Sequence, residues 1–317
     1  MKKLLILGGS GFIGTNLTIY FSKKNFKVTS TYFKNKPKKI KGVEYVKCDL
    51  LNKKQVDKIL RNKDILIIAA ATTSGAKDII ERPYIHVTDN VIMNAIITRS
   101  AFDNKIPRII FMSCTVMYKS QKNKIKENSL DLNDEFYPNY FGGAWMKVYT
   151  EKACEFFSRF KFNKYTIIRH SNIYGPYDKF DLKKSHVFGA SVTKVLKNEN
   201  GIVNVWGDGK EKRDLLFIDD LCYFVELAIK KQKKTFEIFN VGYGKLISIN
   251  NLVKKIAKIA NLKINIKHDK SKKSLKTNVV LNCDKANKIL GWKVKNTIDL
   301  GIKKTLAWYV NNYISGK

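Results

Sequence analysis

The stretch LLILGGSGFIGTNL, residues 4–17, decides the fold. Leu4, Leu5, Ile6 and Leu7 form a short apolar run, Gly8, Gly9, Gly11 and Gly14 follow, and Phe12, Ile13 and Leu17 open a helical pattern. An apolar run ending in glycines reads as a buried parallel strand, and the periodic residues beyond it as a helix. Glycines at such a junction let the backbone approach a pyrophosphate, whose charge then sits on the unpaired N–H groups of the helix N-terminus. With a strand before it and a helix after it, the segment reads as a dinucleotide-binding turn; the alternative is a flexible loop.

Outward from this turn, strand and helix patterns alternate. After a helix over about 12–23, residues 26–31 read as a second strand. In a dinucleotide-binding fold an acid near the end of that strand holds the ribose hydroxyls of NAD. Here Thr31, Tyr32, Phe33 and Lys34 stand there, with Lys36 beyond. No acid is present and cations follow, which favours a 2′-phosphate and hence NADP over NAD; otherwise Lys34 and Lys36 are solvated loop charges. Further strands are expected at 43–46, 65–70, 108–113 and 165–169, with long helices over about 83–102 and 143–160. Alternation of this kind predicts an α/β fold, a doubly wound parallel sheet of the Rossmann type.

After Asn172 the rhythm changes to mixed short elements and tight turns, such as Tyr174-Gly175-Pro176 and Trp206-Gly207-Asp208-Gly209. This predicts a second, smaller lobe that binds substrate. A helix over about 219–231, capped by Asp219 or Asp220, and a strand at 236–240 are expected to return to the first domain. The dinucleotide-binding domain is then 1–172 plus about 214–242. The substrate lobe is about 173–213 and 243–317, with its last helix (about 298–313) free to pack on the first domain. Residues 267–276 read as a mobile basic loop.

The totals narrow the class. A chain of 317 residues with 44% hydrophobic content can bury a large core. It contains no 18-residue apolar run, so no membrane span is expected. Lys2 and Lys3 precede an apolar run as in a signal peptide, but residues 4–7 are too few for its hydrophobic region, so a cytoplasmic protein is expected. The five cysteines at 48, 114, 154, 222 and 283 are scattered, odd in number and free of any C-x-x-C, which predicts neither disulfides nor a metal site. The net charge of +33 is spread along the whole chain as a compositional bias. A nucleic-acid surface would cluster it, so nucleic acid is not the expected partner.

With these residues in view, the chain resembles the extended short-chain dehydrogenase/reductases that act on nucleotide sugars, the NAD-dependent epimerase/dehydratase family. The resemblance spans essentially the whole chain. It is carried by GGSGFIG at 8–14, Asp49 after the third strand, Ala69–Ala70–Ala71, Asn90 in the long helix, RHSNIYGP at 169–176, RDLLFIDD at 213–220 and FNVG at 239–242. The stretches NIYGPYDKFDLKKSHV and VWGDGKEKRDLLFIDDL look most like the GDP-L-fucose synthase branch, whose members are epimerase-reductases. The resemblance implies a nucleotide-diphosphate sugar as substrate and a homodimer paired through the two long helices, with Ile92, Ile96, Val148 and Phe156 facing a partner or the core. It also implies a cofactor site built from Gly8, Gly11, Phe12, Ile13, Gly14, Lys34, Asp49, Leu50, Ala69, Ala70, Ala71, Asn90, Ser113 and Lys147.

The family's chemistry uses a Tyr-x-x-x-Lys pair sharing one helix face. The lysine holds the nicotinamide ribose and lowers the phenol pKa, so that the phenolate takes a proton as hydride leaves. Lys147 matches the lysine, but Gly143 stands at the tyrosine. The Ser/Thr position of the family falls on Cys114, and the cysteine of the fucose synthase pattern on Val116. Its histidine matches His186, whose ordinary pKa suits proton transfer next to a ketone. Tyr140, seven residues before Lys147, supplies the displaced phenol if Gly142 and Gly143 break the helix start; otherwise it only packs. Cys114 is a substrate contact or a core thiol. Arg213 holds the nucleotide diphosphate or pairs with Asp214 on the surface, Trp206 stacks on a base or packs, and Asn172 matches a substrate-side asparagine. The expected function is a nucleotide-sugar epimerase/reductase. The alternative is a non-redox or inactive relative that senses nucleotide sugar or NAD(P).

Overall fold

The computed structural model describes residues 1–73, 81–182, 185–272 and 277–314. In chain order the strands are β1 (Lys2–Leu7), β2 (Phe26–Tyr32), β3 (Glu44–Lys47), β4 (Ile65–Ile68), β5 (Arg108–Met112), β6 (Lys164–His170), β7 (Asn172–Tyr174), β8 (Ile202–Trp206), β9 (Lys212–Phe217), β10 (Phe236–Val241), β11 (Leu246–Ser248) and β12 (Asn265–Asp269). The helices are α1 (Phe12–Ser22), α2 (Lys53–Leu60), α3 (Thr88–Asp103), α4 (Phe141–Ser158), α5 (Val187–Leu196), α6 (Ile218–Lys231), α7 (Ile249–Ile259), α8 (Asp284–Leu290) and α9 (Ile298–Tyr309).

Seven strands form one sheet in the order β3-β2-β1-β4-β5-β6-β10, all parallel. The cause is legible in β1, where Leu4, Leu5, Ile6 and Leu7 are all fully buried. Leu4 and Ile6 pack on one face with Leu17 and Phe21, while Leu5 and Leu7 pack on the other with Ile97 and Ile109. A strand covered by helices on both faces is the parallel, doubly wound arrangement. Strand order reverses between β1 and β4, and ligands bind in the crevice outside the carboxyl ends of the strands at such a point. The β7-β9-β11 sheet and the β8-β12 ribbon build the remainder, and β10 of the second half completes the large sheet beside β6.

Several elements depart from the sequence reading. The helix expected over 83–102 begins as a tight 3-10 turn, Pro83–His86, and α3 follows at Thr88. The glycines at 142 and 143 do not break α4, which starts at Phe141 and carries both in its first turn. The sequence reading places no helix at α2, which Asn52 caps, Oδ1 accepting from Gln55 N at 3.1 Å, and which buries Val56 and Leu60 on its inner face. Asp219 and Asp220 do not cap α6, whose N-cap is Phe217. Asp220 instead accepts from the Lys295 and Asn296 backbone N–H groups at 2.8 and 3.2 Å, and Asp219 pairs with Lys304 at 3.1 Å, so both carboxylates fasten the C-terminal segment. Strand β12, paired in parallel with β8, takes up the first residues of the expected basic loop, 267–269; residues 273–276 lie outside the described residues. The last helix ends at Tyr309 and widens into a π turn, Val310–Ile314. Among the apolar residues weighed for pairing, Val148 is buried in its own chain and Ile96 packs on the core, while Ile92 and Phe156 are exposed.

Candidate active site

The cofactor turn is close-packed. Gly8 sits at φ +85°, and a Cβ there would lie 2.6 Å from Ala70 Cα; a Cβ on Gly14 would lie 2.0 Å from the Gly8 carbonyl oxygen. Only glycine lets α1 rise this close to the end of β1. Thr31 fixes the turn from β2, its Oγ1 accepting from Gly8 N at 3.1 Å and its carbonyl from Gly9 N at 2.7 Å. Gly11 is the N-cap of α1, which has no side-chain cap and no acid in its first turn, leaving its N–H groups open to an anion. This bare cradle fits a dinucleotide pyrophosphate. Phe12 and Ile13 pack their half-buried side chains against the core behind it.

Around the cradle, Lys34 is exposed with its Nζ 5.7 Å from the Phe33 ring centroid. Asp49 Oδ1 accepts from Leu51 N at 3.0 Å, shaping the turn that carries Leu50. Ala69 N bonds Leu7 O at 3.1 Å, and Ala71 leads outward. Buried Asn90 clamps the loop after β4, accepting from Thr72 N at 2.9 Å and donating to Thr72 O at 3.0 Å and His86 O at 2.9 Å.

Lys147 reaches the end of β5 from α4. Its Nζ donates to Met112 O at 2.8 Å and lies 4.6 Å from the Phe111 ring centroid. Burial lowers its pKa, and the charges of Cys114 and Glu151 act in the opposite sense. One turn on, Glu151 is held in a buried ion pair with Arg169 at 2.6 Å and accepts from Ser113 Oγ at 2.5 Å. Arg169 also donates to Tyr118 OH at 2.8 Å, and Tyr118 OH donates to Asn240 Oδ1 at 2.8 Å. This network joins β5, α4, β6 and β10 into the floor of the crevice. Ser113 is thus part of the floor, and Cys114 beside it has its pKa raised by burial, with Lys147 acting against the shift.

Tyr140, the N-cap of α4, is half-buried. Burial raises its pKa, Arg213 opposes that, and Cys114 and Tyr137 add to it. The phenol, the guanidinium and the thiol are therefore electrostatic neighbours. Arg213 donates to the Lys212 and Thr277 carbonyls at 2.8 and 3.0 Å. It does not pair with Asp214, whose buried carboxylate accepts from Tyr243 N, Gly244 N and Leu281 N at 2.7, 3.0 and 3.2 Å. At Gly143 a Cβ would meet nothing within 4 Å, whereas at Gly142 it would lie 2.6 Å from Val87 Cγ2. The position of the missing tyrosine is open space.

His186 is the N-cap of α5 and opens to solvent. The protein mass around its ring, with Lys179 and His86 adding like charge, lowers its pKa to about 4. His170, whose Nδ1 lies 2.8 Å from Ser171 O, is likewise lowered to about 4 by burial, with Lys147 and His186 contributing. Both imidazoles are neutral near pH 7. Asn172 is exposed, its Nδ2 3.4 Å from Asp214 O. Trp206 lies on β8 with Lys194 Nζ 5.6 Å from its ring centroid, and no contact among the described residues joins it to the Lys147 group. The sequence reading passed over Glu151, Arg169, Tyr118, His86 and His170. Arg169 and His170 stood in the RHSNIYGP motif without a role of their own, and Glu151 carried a signal in its position one turn after Lys147.

Comparison with known proteins resolves the family. The sequence pattern of the NAD dependent epimerase/dehydratase family matches residues 4–242, three quarters of the chain. The chain belongs to this family. Among curated relatives, it is 28% identical over 321 residues to the GDP-L-colitose synthase of Yersinia pseudotuberculosis, covering 98% of each chain. It is 26% identical over 319 residues to a GDP-L-fucose synthase of Sinorhizobium fredii, covering 98% of this chain and 96% of the relative. Its fold superposes on the UDP-glucose 4-epimerase of Thermotoga maritima with a TM-score of 0.86 at 23% identity, over 98% of this chain and 99% of the other. Among the described residues, no helix is long and apolar enough to cross a membrane and no group of His, Cys, Asp or Glu is arranged to hold a metal.

Proposed function

We propose that this chain is an NAD(P)-dependent epimerase/reductase of a nucleotide-diphosphate sugar bearing a keto group, working with a displaced phenol. The observation that carries the proposal is the convergence of Tyr140 and Arg213 on Cys114, the neighbour of Lys147 at the end of β5. In this scheme the domain of 1–172 with about 214–242 holds the cofactor, and the lobe of about 173–213 with 243–317 holds the nucleotide sugar. Gly8, Gly11, Phe12, Ile13, Gly14, Asp49, Leu50, Ala69–Ala71, Asn90 and Ser113 line the cofactor, and Lys34 supplies the preference for NADP over NAD. When bound, the nicotinamide gives up or takes a hydride at the sugar carbon.

The residues of the chain do the rest. Lys147 orients the nicotinamide ribose. Arg213 grips the diphosphate, for which a planar guanidinium suits bidentate contact, while Asn172 and Trp206 bear on the rest of the nucleotide sugar. Tyr140 donates the proton to the keto oxygen, with Arg213 favouring its phenolate and Cys114 contacting the sugar. His186, neutral near pH 7, removes or returns a proton on the carbon next to the ketone. A second copy covers the exposed apolar face formed by α3, α4 and the turn after α4, where Ile92, Tyr149, Phe156 and Phe160 stand in solvent, giving a homodimer. Cytoplasmic placement belongs to the same proposal and accords with five free cysteines.

Gly143 and Cys114, in place of the family's tyrosine and Ser/Thr, favour one other reading: a relative that binds nucleotide sugar and NAD(P) without turnover. Calorimetry with NADPH and NADH, followed by nicotinamide absorbance in the presence of GDP-4-keto-6-deoxymannose, separates the two. The enzyme binds NADPH more tightly and consumes it, the sensor binds and consumes nothing, and a chain that binds neither cofactor sinks both.

A further inference from the structure

Epimerisation next to a ketone needs two proton-handling groups, one to take the proton from the carbon and one to return a proton to the opposite face. His186 is one of them, and Val116 stands where the fucose synthase pattern places a thiol. Val116 packs with Met117, Phe136, Ala144 and Val148 and has no proton to give.

The turn before α3 offers a group that nothing above assigns. His86 ends the Pro83–His86 turn, which packs against the start of α4; its neighbour Val87 is the residue that a Cβ on Gly142 would strike. The imidazole therefore lies beside the segment where Gly143 leaves open space. Its Nδ1 is 3.3 Å from Thr72 O. A carbonyl only accepts, so Nδ1 carries a proton, and in the neutral ring Nε2 is then a bare lone pair. That Nε2 is buried and has no hydrogen-bond partner among the described residues, a state that buried polar atoms rarely keep without a reason. Asn90 clamps the backbone on both sides of this contact, at Thr72 and at the His86 carbonyl, and Lys179 Nζ donates to the adjacent Thr73 O at 2.9 Å. His86 is close enough to His186 for its charge to act on it.

We infer that His86 is the second proton-transfer residue of the crevice, its Nε2 acting on the opposite face of the sugar carbon from His186, a role that presupposes the proposed epimerisation. One imidazole takes the proton as the C–H bond breaks and its electron pair moves into the enolate of the ketone. The other, protonated from solvent, delivers a proton as the enolate collapses. The carbon is inverted, no net oxidation occurs and no further reactant is consumed.

The test is GDP-4-keto-6-deoxymannose incubated in D2O without reductant, with mass spectrometry for deuterium and NMR for configuration. Wild type should incorporate deuterium and yield the epimer. His86→Gln should still exchange deuterium through His186 but lose about 10²–10⁴-fold in the epimer, with cofactor affinity unchanged as the check on folding. Equal loss of exchange and inversion assigns His86 a positioning role and overturns the inference, as does unchanged inversion. Absence of exchange in wild type defeats the epimerase proposal itself. A second measurement needs no substrate: imidazole nitrogen NMR of the free protein should find His86 as the Nδ1–H tautomer, and the His186 pKa should rise in His86→Gln. An Nε2–H tautomer, or an unmoved His186, overturns the inference.

Discussion

Glu151→Gln should unfold the floor of the crevice more readily while leaving its shape intact. Both side chains of the Arg169–Glu151 pair are only 4% exposed. Arg169 Nε lies 3.1 Å from each carboxylate oxygen and Nη2 lies 2.6 Å from Oε2, while Ser113 Oγ donates to Oε1 at 2.5 Å. Glutamine fills the same volume, so no cavity term enters. It retains one accepting oxygen, and its amide must turn N–H groups toward a guanidinium or a hydroxyl that also donates. The charge on Arg169 stays buried without its counter-ion. Removing one partner of such a pair costs about 3–5 kcal/mol, and at roughly 2 °C per kcal/mol for a chain of this size the midpoint should fall by about 6–10 °C. Urea unfolding measures the loss directly, with an unchanged m-value showing that the two end states are the same. The double variant Glu151→Met with Arg169→Met should recover most of it, because an apolar pair of similar volume carries no desolvation cost. A loss below about 1 kcal/mol in the single variant would mean that the pair is solvated in solution and would refute the reasoning.

Gly14→Ala places a methyl group against the Gly8 carbonyl, so calorimetry should show NADPH affinity falling at least tenfold. Gly143→Tyr meets open space at its Cβ and should fold with wild-type stability or better, since glycine inside a helix costs roughly 1 kcal/mol; its urea midpoint is the check. Asp178 is buried and its carboxyl is pushed up from 3.8 to about 7 by burial, with the Lys179 N–H and charge opposing. The folded state therefore binds more protons than the unfolded chain between those values, so stability falls as pH rises from about 4 to 7. Asp178→Asn should match wild type near pH 4 and exceed it at pH 8 by on the order of 3 kcal/mol in urea unfolding. Phe156→Glu with Phe160→Glu should leave a monomer by light scattering where wild type is a dimer.

The sheet and the cofactor turn were legible because each rests on local chemistry. Residues 4–7 are apolar on both faces and the glycines follow at once, while the apolar run alone recurs at β4 and β5. Lys147 was legible from its helix and from the family resemblance. The exchange of Asp219 and Asp220 from caps to anchors of the C-terminal segment was not, because Lys295, Asn296 and Lys304 lie more than 70 positions away in sequence. The same holds for His86, which gains its interest from Thr72, Val87 and the start of α4, none of which marks it in sequence. The glycines at 142 and 143 misled for a related reason. Glycine disfavours helix on its own, yet at 142 the close approach of Val87 demands it, and the surrounding apolar face keeps α4 helical from Phe141 onward.

The displaced phenol is tested most directly by Tyr140→Phe. With GDP-4-keto-6-deoxymannose and NADPH, turnover read from nicotinamide absorbance should fall by about 10²–10⁴-fold, the usual worth of a positioned acid, while NADPH affinity stays at the wild-type value. Turnover equal to that of wild type would contradict the assignment and leave Tyr140 as a packing residue.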